Sequence, residues 1–468
     1  SAVSALCLLR IYPRKTMRLR KTITTIVATA ILLAGWQLFA VIANQPELIP
    51  SLPRLVRTLC EWLVSGSFYQ SVGATILRGI LGMSISFVCA IGMAGLFARF
   101  EWVYELFRPL LAIMRSIPVI SFILLALIFL NPESIPLMIA FLTMFPLLTE
   151  NLTRGILDLR PGLSIMARQF HIKHSNVLFQ IIYPQLKPFL YSGLASAAGF
   201  GWRAIIMGEV LSQCAFGIGS EMKRAQNFIS VPELLAWTIV AVFISFFFDK
   251  GISKVADITP KISFANEDQT IPTPTLSVLD TKDISYQYGI QHFSHSFQKG
   301  IIYGISAPSG KGKTTLLNLI GGILLPTEGE IHPTRHFGIA TIFQQPQLLP
   351  HLTAEENIIL PLSSFLTEEK ARRIAQKHLQ EMEMEPFGNR YPKELSYGQQ
   401  QRIAIARALA YPSPLLLMDE PFKGLDEALS HRIIERIREK QMKEERIILF
   451  TSHNPDEIRL LADEVIYL

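Results

Sequence analysis

Ala307-Pro308-Ser309-Gly310-Lys311-Gly312-Lys313-Thr314-Thr315 joins a glycine-rich turn to a lysine and two hydroxyls, the residue types that hold a polyphosphate. The apolar run 301–305 precedes it and 316–320 follows it, which predicts a buried strand, a tight turn and a helix in that order. In such a turn the backbone N–H groups of Ser309, Gly310, Lys311, Gly312, Lys313, Thr314 and Thr315 converge at a helix N-terminus, where aligned peptide dipoles favour an anion. Lys313 adds a point charge for the β- and γ-phosphates of a nucleotide, and Thr314 a hydroxyl for Mg²⁺. The pattern asks for glycine where Ala307 stands, and alanine fits provided its φ stays negative.

Two further strand ends offer matching chemistry. The apolar run 415–418 terminates in Asp419 and Glu420. Asp419 can hold Mg²⁺, directly or through water, and Glu420 is placed to orient or deprotonate a water molecule. The run 446–452 ends on His453, which can donate a hydrogen bond to a γ-phosphate and sense its loss.

These residues need a parallel sheet to gather them, and the chain is long enough for that and more. At 468 residues it exceeds one typical domain, and half of it is apolar, with the surplus lying before about residue 250. Cys7, Cys60, Cys89 and Cys214 are scattered through that first half without paired or metal-ligand spacing, so neither a disulfide framework nor a zinc site is expected. The net charge of +6 is accounted for by a positive-inside membrane bias, and a nucleic-acid partner is not expected.

Residues 1–21 form a basic segment with Arg10, Arg14, Lys15, Arg18, Arg20 and Lys21 and no acidic residue, and 22–43 is apolar enough to span a bilayer. That run is too long for the core of a signal peptide, so a retained first helix with a cytoplasmic N-terminus is expected. Further spans are expected at 71–98, 117–130, 135–152, 189–213 and 232–248, the 117–130 span being short unless 110–116 extends it. Six spans return both ends to one side, and they place 153–187 inside, where Arg154, Arg160, Arg168, Lys173 and Lys187 face only Asp158. Ionisable residues within spans are functional candidates, here Arg78, Arg203 and Glu209. The spacing of Arg203 and Glu209 does not favour a pair on one helix face, leaving Glu209 near the membrane surface or in gating or subunit contact.

Leu395-Ser396-Tyr397-Gly398-Gln399, running on into 400–409, resembles the signature of ABC ATPases, and this resemblance extends over about 277–468. It implies an α/β P-loop ATPase domain, 276–468, that binds ATP and Mg²⁺. Gln344, in a turn after an apolar run, is similar to the family's glutamine, which reaches Mg²⁺ and the attacking water. Tyr288 stands where an aromatic residue stacks on adenine, with Tyr286 the second choice. Ser396, Gly398 and Gln399 are implied to meet the γ-phosphate held by the opposite copy, and Asp426 to contact that copy. Tyr397 stands where glycine is usual, and Tyr397→Gly is expected to leave hydrolysis intact or raise it.

Residues 165–171 with 181–184 resemble the coupling loop of binding-protein-dependent ABC importer permeases, with Met166, His171 and Tyr183 in place of the usual acidic residue, glycine and leucine. Arg115-Ser116-Ile117-Pro118, Leu48-Ile49-Pro50-Ser51 and Gly208-Glu209-Val210 with Gly217-Ile218-Gly219 are similar to the nitrate/sulfonate/taurine permeases. The resemblance implies an all-α polytopic membrane domain, 22–250, of type I importer kind, with its coupling loop at about 160–187 and a proline-containing linker, 251–275. It further implies a homodimer in the bacterial cytoplasmic (inner) membrane, ATPase domain inside, importing a small solute delivered by a separate solute-binding protein. A sulfonate-, nitrate- or taurine-like anion is the favoured solute. Thiamine-precursor pyrimidines or another small organic solute, or a membrane ABC ATPase that transports nothing, are the alternatives.

Overall fold

The computed structural model describes residues 14–256, 260–269, 276–287, 289–308, 310–333 and 338–468. The chain forms two compact units, one of residues 1–157 and 187–258, the other of 158–186 and 259–468.

The first unit is helical. In chain order it contains α1 (Arg14–Ala43), α2 (Leu52–Trp62), α3 (Gly66–Arg99), α4 (Glu101–Ser116), α5 (Val119–Phe129) and α6 (Ile135–Leu157). After the short α7 (Pro161–Gln169), which belongs to the second unit, α8 (Tyr183–Ser212), α9 (Ile218–Asn227) and α10 (Val231–Ala256) follow. Among the described residues five helices are long and apolar enough to cross a membrane, and a sixth crossing is available only as the bent pair α4 and α5. Residues 110–116 do not extend the 117–130 span in a straight line: α4 ends at Ser116, and the axis turns by 94° before α5 begins. Pro118 lacks an N–H and holds Ile117 in an extended conformation, which ends the helix.

The helices approach closely because small residues line their contacts. A Cβ added to Gly82 in α3 would lie 2.6 Å from that of Ala140 in α6. Ala90, Ala94, Ala140, Met144, Leu148, Ala197 and Ile205 make a shared core of α3, α6 and α8. The opposite faces carry large exposed apolar side chains such as Ile85, Val88, Phe243 and Phe247, as a lipid-facing surface requires.

The second unit has two sheets. β1 (Val278–Tyr286), β2 (Ile290–Gln298) and β4 (Glu328–His332) form an antiparallel sheet in the order β2-β1-β4. β3 (Ile302–Ser306), β5 (Ala340–Ile342), β6 (Leu415–Asp419), β7 (Ile447–Thr451) and β8 (Glu464–Tyr467) form a parallel sheet in the order β5-β6-β7-β3-β8. Its central strands β6 and β7 are buried throughout, which is why they read as unbroken apolar runs. The flanking helices are α11 (Lys313–Ile320), α12 (Ala354–Leu362), α13 (Glu368–Glu381), α14 (Tyr397–Ala410), α15 (Glu427–Glu444) and α16 (Pro455–Leu461).

α10 continues to Ala256, into the segment read as a linker. The described residues 260–269 lie along the second unit: Ala265 and Gln269 donate backbone N–H groups to the Ser363 and Phe365 carbonyls. Asp268 accepts from the Thr367 backbone at 2.9 Å.

Candidate functional site

The sheet register assembles the site. Asp419 at the end of β6 sits beside Thr451 at the end of β7, and β3, paired to β7, runs into the glycine-rich turn. In open parallel sheets the crevice beyond the carboxyl ends of the strands is where ligands bind. Gly312, at the N-cap of α11, has φ +92°, and an added Cβ would lie 2.7 Å from the Gly289 carbonyl oxygen, so the turn requires glycine there. Gly310 also has a positive φ, whereas Ala307 is not among the described non-glycine residues that do. Lys311 closes the turn by donating its N–H to the Pro308 carbonyl, and its side chain is exposed. Lys313 is buried, its Nζ donating to the Ala307 carbonyl at 2.6 Å, so its charge lies folded over the turn. Thr315 is half-buried in the first turn of α11. Ser309 and Tyr288 lie outside the described residues.

Thr314 Oγ1 donates to Asp419 Oδ2 at 2.9 Å, and Thr451 Oγ1 donates to Asp419 Oδ1 at 2.7 Å. Burial lifts the Asp419 carboxyl above its ordinary range, outweighing these two donors and the nearby Lys313 charge. Thr451 Oγ1 also accepts the Glu420 N–H at 3.0 Å, which fixes Glu420 in a left-handed conformation with φ +48°. Glu420 Oε1 then lies 2.8 Å from His453 Nε2, and Oε2 lies 3.2 Å from Lys423 Nζ and 3.4 Å from Gln344 Nε2. Partial burial pushes the Glu420 carboxyl up, but the Lys423 and Gln344 donors and the Lys423 and His453 charges outweigh it and hold the group below its usual range. Adjacent carboxylates are thereby driven in opposite directions.

The structure brings together Lys313, Thr314, Gln344, Asp419, Glu420 and His453, while Ser396, Gly398, Gln399 and Asp426 sit at helix starts nearby in the same unit. Ser396 and Gln399 form a capping box: Ser396 Oγ accepts from the Gln399 N–H at 3.3 Å, and Gln399 Oε1 accepts from the Ser396 N–H at 2.9 Å. Gly398 abuts Gly424, since an added Cβ would lie 2.5 Å from the Gly424 carbonyl oxygen. Asp426 caps α15 by accepting from the Leu429 N–H at 2.9 Å.

Residues that sequence reading left without a role complete the arrangement. Thr451 ties the Asp419 carboxylate to the Glu420 backbone N–H, and its only sequence signal is its place before Ser452-His453. Lys423, three residues after Glu420, places its ammonium 3.2 Å from the Glu420 carboxylate. Arg407, fully enclosed in α14, donates to the Pro346 and Gln347 carbonyls at 2.9 and 2.8 Å, bracing the loop that carries Gln344. Its guanidinium lies 5.4 Å from the centre of the Phe170 ring, which in turn meets Tyr411 edge-on at 5.1 Å.

Phe170 opens the coupling segment to explanation. Leu163, Met166, Ala167, Phe170, Ile172 and Ile181 belong to one core with Ala340, Leu352, Leu409 and Tyr411. Met166 is buried there, so an apolar side chain replaces the acidic residue of the importer pattern. His171 has φ +46°, the conformation for which the pattern uses glycine, and burial lowers its imidazole. Gln169 is buried and pins the segment to the phosphate helix: its Nε2 donates to the Gly321 carbonyl at 2.8 Å, and its own carbonyl accepts from the Ile339 N–H at 2.7 Å.

The ABC transporter family model matches residues 290–423, and that of the binding-protein-dependent transport system inner membrane component matches residues 82–249. An uncharacterized ABC transporter ATP-binding protein of Methanocaldococcus jannaschii is 34% identical over 201 residues, which are 39% of this chain and 85% of that protein. The thiamine import ATP-binding protein ThiQ of Yersinia pseudotuberculosis is 34% identical over 205 residues, 41% of this chain and 86% of its own length. The Fe(3+) ions import ATP-binding protein FbpC of Rhizobium etli is 35% identical over 189 residues, 38% of this chain. The match spans about half, 54%, of that last relative. An ATP-binding half with these relatives and a half matched by an inner-membrane transport component lie on one polypeptide, and the chain belongs to the ABC transporter family.

Proposed function

We propose that this chain is a fused half-transporter that hydrolyses ATP to import a small solute across a bacterial cytoplasmic membrane. Two copies would act together, fed by a separate solute-binding protein. The observation that carries the reading is the pairing of Thr314 with Asp419 and of Glu420 with His453 in a chain whose other half matches a binding-protein-dependent membrane component.

Thr314 and Asp419 present hard oxygen ligands to one spot. Among the described residues no cluster of three or more His, Cys, Asp or Glu side chains could hold a metal alone. That suits Mg²⁺, which takes one or two protein oxygens and completes its shell with phosphate oxygens and water. Mg²⁺ bound with ATP supplies charge neutralisation at the β- and γ-phosphates. The turn N–H groups and Lys313 would hold the phosphates, Glu420 would orient and deprotonate the water, and His453 would steady the γ-phosphate. Ser396, Gly398 and Gln399 would close on the nucleotide of the other copy, with Tyr288 against adenine and Asp426 at the contact between copies.

For the solute, a sulfonate-, nitrate- or taurine-like anion is favoured by the runs at 48–51, 115–118, 208–210 and 217–219. The thiamine-precursor alternative draws on the relative whose name carries thiamine import. Glu420→Gln tests the enzymatic reading: turnover is expected to vanish while ATP binding is retained, and full residual hydrolysis would overturn it.

A further inference from the structure

We propose that Tyr397 is the positioning residue through which the two nucleotide sites of the dimer sense each other; this rests on the reading above. Tyr397 is the first residue of α14, between Ser396 and Gly398, which that reading turns toward the other copy's nucleotide. Its Oη donates to the Gln344 carbonyl at 2.7 Å. Gln344 serves the chain's own site, its side-chain amide lying 3.4 Å from Glu420 Oε2. One side chain therefore joins a group that acts on one nucleotide to a group that acts on the other.

The ring makes a second contact at this joint. It lies over Gly424, where φ is +80° and an added Cβ would lie 2.7 Å from Tyr397 Cδ1. The loop after Glu420, the loop of Gln344 and the start of α14 are thus held at one place. A glycine at 397, as the family pattern has it, removes both the hydroxyl contact with Gln344 and the ring contact with Gly424. Engagement of the α14 N-terminus by a phosphate would shift the Tyr397 hydroxyl, and with it the Gln344 backbone and the amide that approaches Glu420. Both copies carry the same joint, so the coupling runs in both directions, as linkage requires.

The test uses the full chain in lipid nanodiscs, with hydrolysis measured against ATP concentration for the wild type, Tyr397→Phe and Tyr397→Gly. The wild type is expected to be cooperative, with a Hill coefficient well above 1 and bounded at about 2 by its two sites. Tyr397→Phe keeps the ring and removes the hydroxyl, and its Hill coefficient should fall toward about 1. The ratio of the two apparent ATP affinities should shrink by about two- to tenfold, the range of one neutral hydrogen bond. Tyr397→Gly should lose cooperativity at least as fully, and an unchanged melting temperature for Tyr397→Phe shows that the fold is not the cause. A Tyr397→Phe chain with the wild-type Hill coefficient, or a wild type without cooperativity, overturns the link. A wild type that does not hydrolyse ATP overturns the nucleotide reading instead, so the two failures are distinct.

Discussion

Arg78 of α3 and Glu209 of α8 form an ion pair, Nη1 to Oε1 at 2.7 Å, with Glu209 fully buried. Thr75 Oγ1 at 2.9 Å and the Gly219 N–H at 2.9 Å complete the carboxylate's donors, and Arg78 Nη2 reaches Glu133 at 2.6 Å. Three helices, α3, α8 and α9, are thereby joined around the Glu209 carboxylate, and Arg78 ties Glu133 to them. Sequence spacing did not favour Arg203 as a partner for Glu209 and left the actual one, 131 positions away, unidentified.

Removing one partner of such a pair strands the other. Arg78→Met is expected to destabilise the membrane unit by about 3–5 kcal/mol. Adding Glu209→Gln should recover more than half of the loss, because the neutral amide no longer demands a cation. Thermal unfolding in detergent measures both, and an Arg78→Met chain as stable as the wild type would show that the pair contributes nothing.

If Asp419 holds Mg²⁺ as proposed, it would link hydrolysis to pH. Its carboxyl sits above the ordinary value, chiefly through burial, so the metal-free fold favours the protonated form and loses stability as pH rises through that range. Protons and Mg²⁺ then compete for the same oxygens. The acid limb of the hydrolysis profile should move to lower pH as Mg²⁺ is raised from limiting to saturating. Asp419→Asn should abolish hydrolysis and, in the presence of EDTA at neutral pH, raise the melting temperature. An acid limb that ignores Mg²⁺ would contradict the assignment.

Arg407 braces the Gln344 loop with a fork that lysine cannot reproduce. Arg407→Lys is expected to lose one of the two carbonyl contacts and cost about 1.5–3 kcal/mol, read as a lower denaturant midpoint with unchanged slope. Phe170→Leu drops the ring contact with Arg407 and Tyr411 and leaves part of a buried volume unfilled, and should cost about 1–3 kcal/mol.

What could be read in the chain beforehand follows the physics of each feature. The strand–turn–helix around Lys313 and the carboxylate pair after β6 were legible because their chemistry is local: a few adjacent residues of the right type suffice. The bend between Ser116 and Val119 was missed because hydropathy is blind to direction, although Pro118 marks the place. Thr451, Arg407 and the Arg78–Glu209 pair were illegible because each depends on a partner brought close only by folding. Met166 and His171, departures from the importer pattern, became intelligible once burial and φ were known. Asp426 and Ser396 are helix caps in this chain, a role written in their types and positions.

The central claim is that each nucleotide site is built from two copies, the phosphate turn of one and the α14 N-terminus of the other. Lys313→Ala and Ser396→Arg chains, each carrying a different purification tag, are co-expressed, isolated as mixed dimers and assayed for ATP hydrolysis. Each variant alone has both sites broken, while the mixed dimer has one intact site and one doubly broken. The account predicts that the mixed dimer recovers hydrolysis that neither variant shows alone; a mixed dimer as inactive as its parents would contradict it.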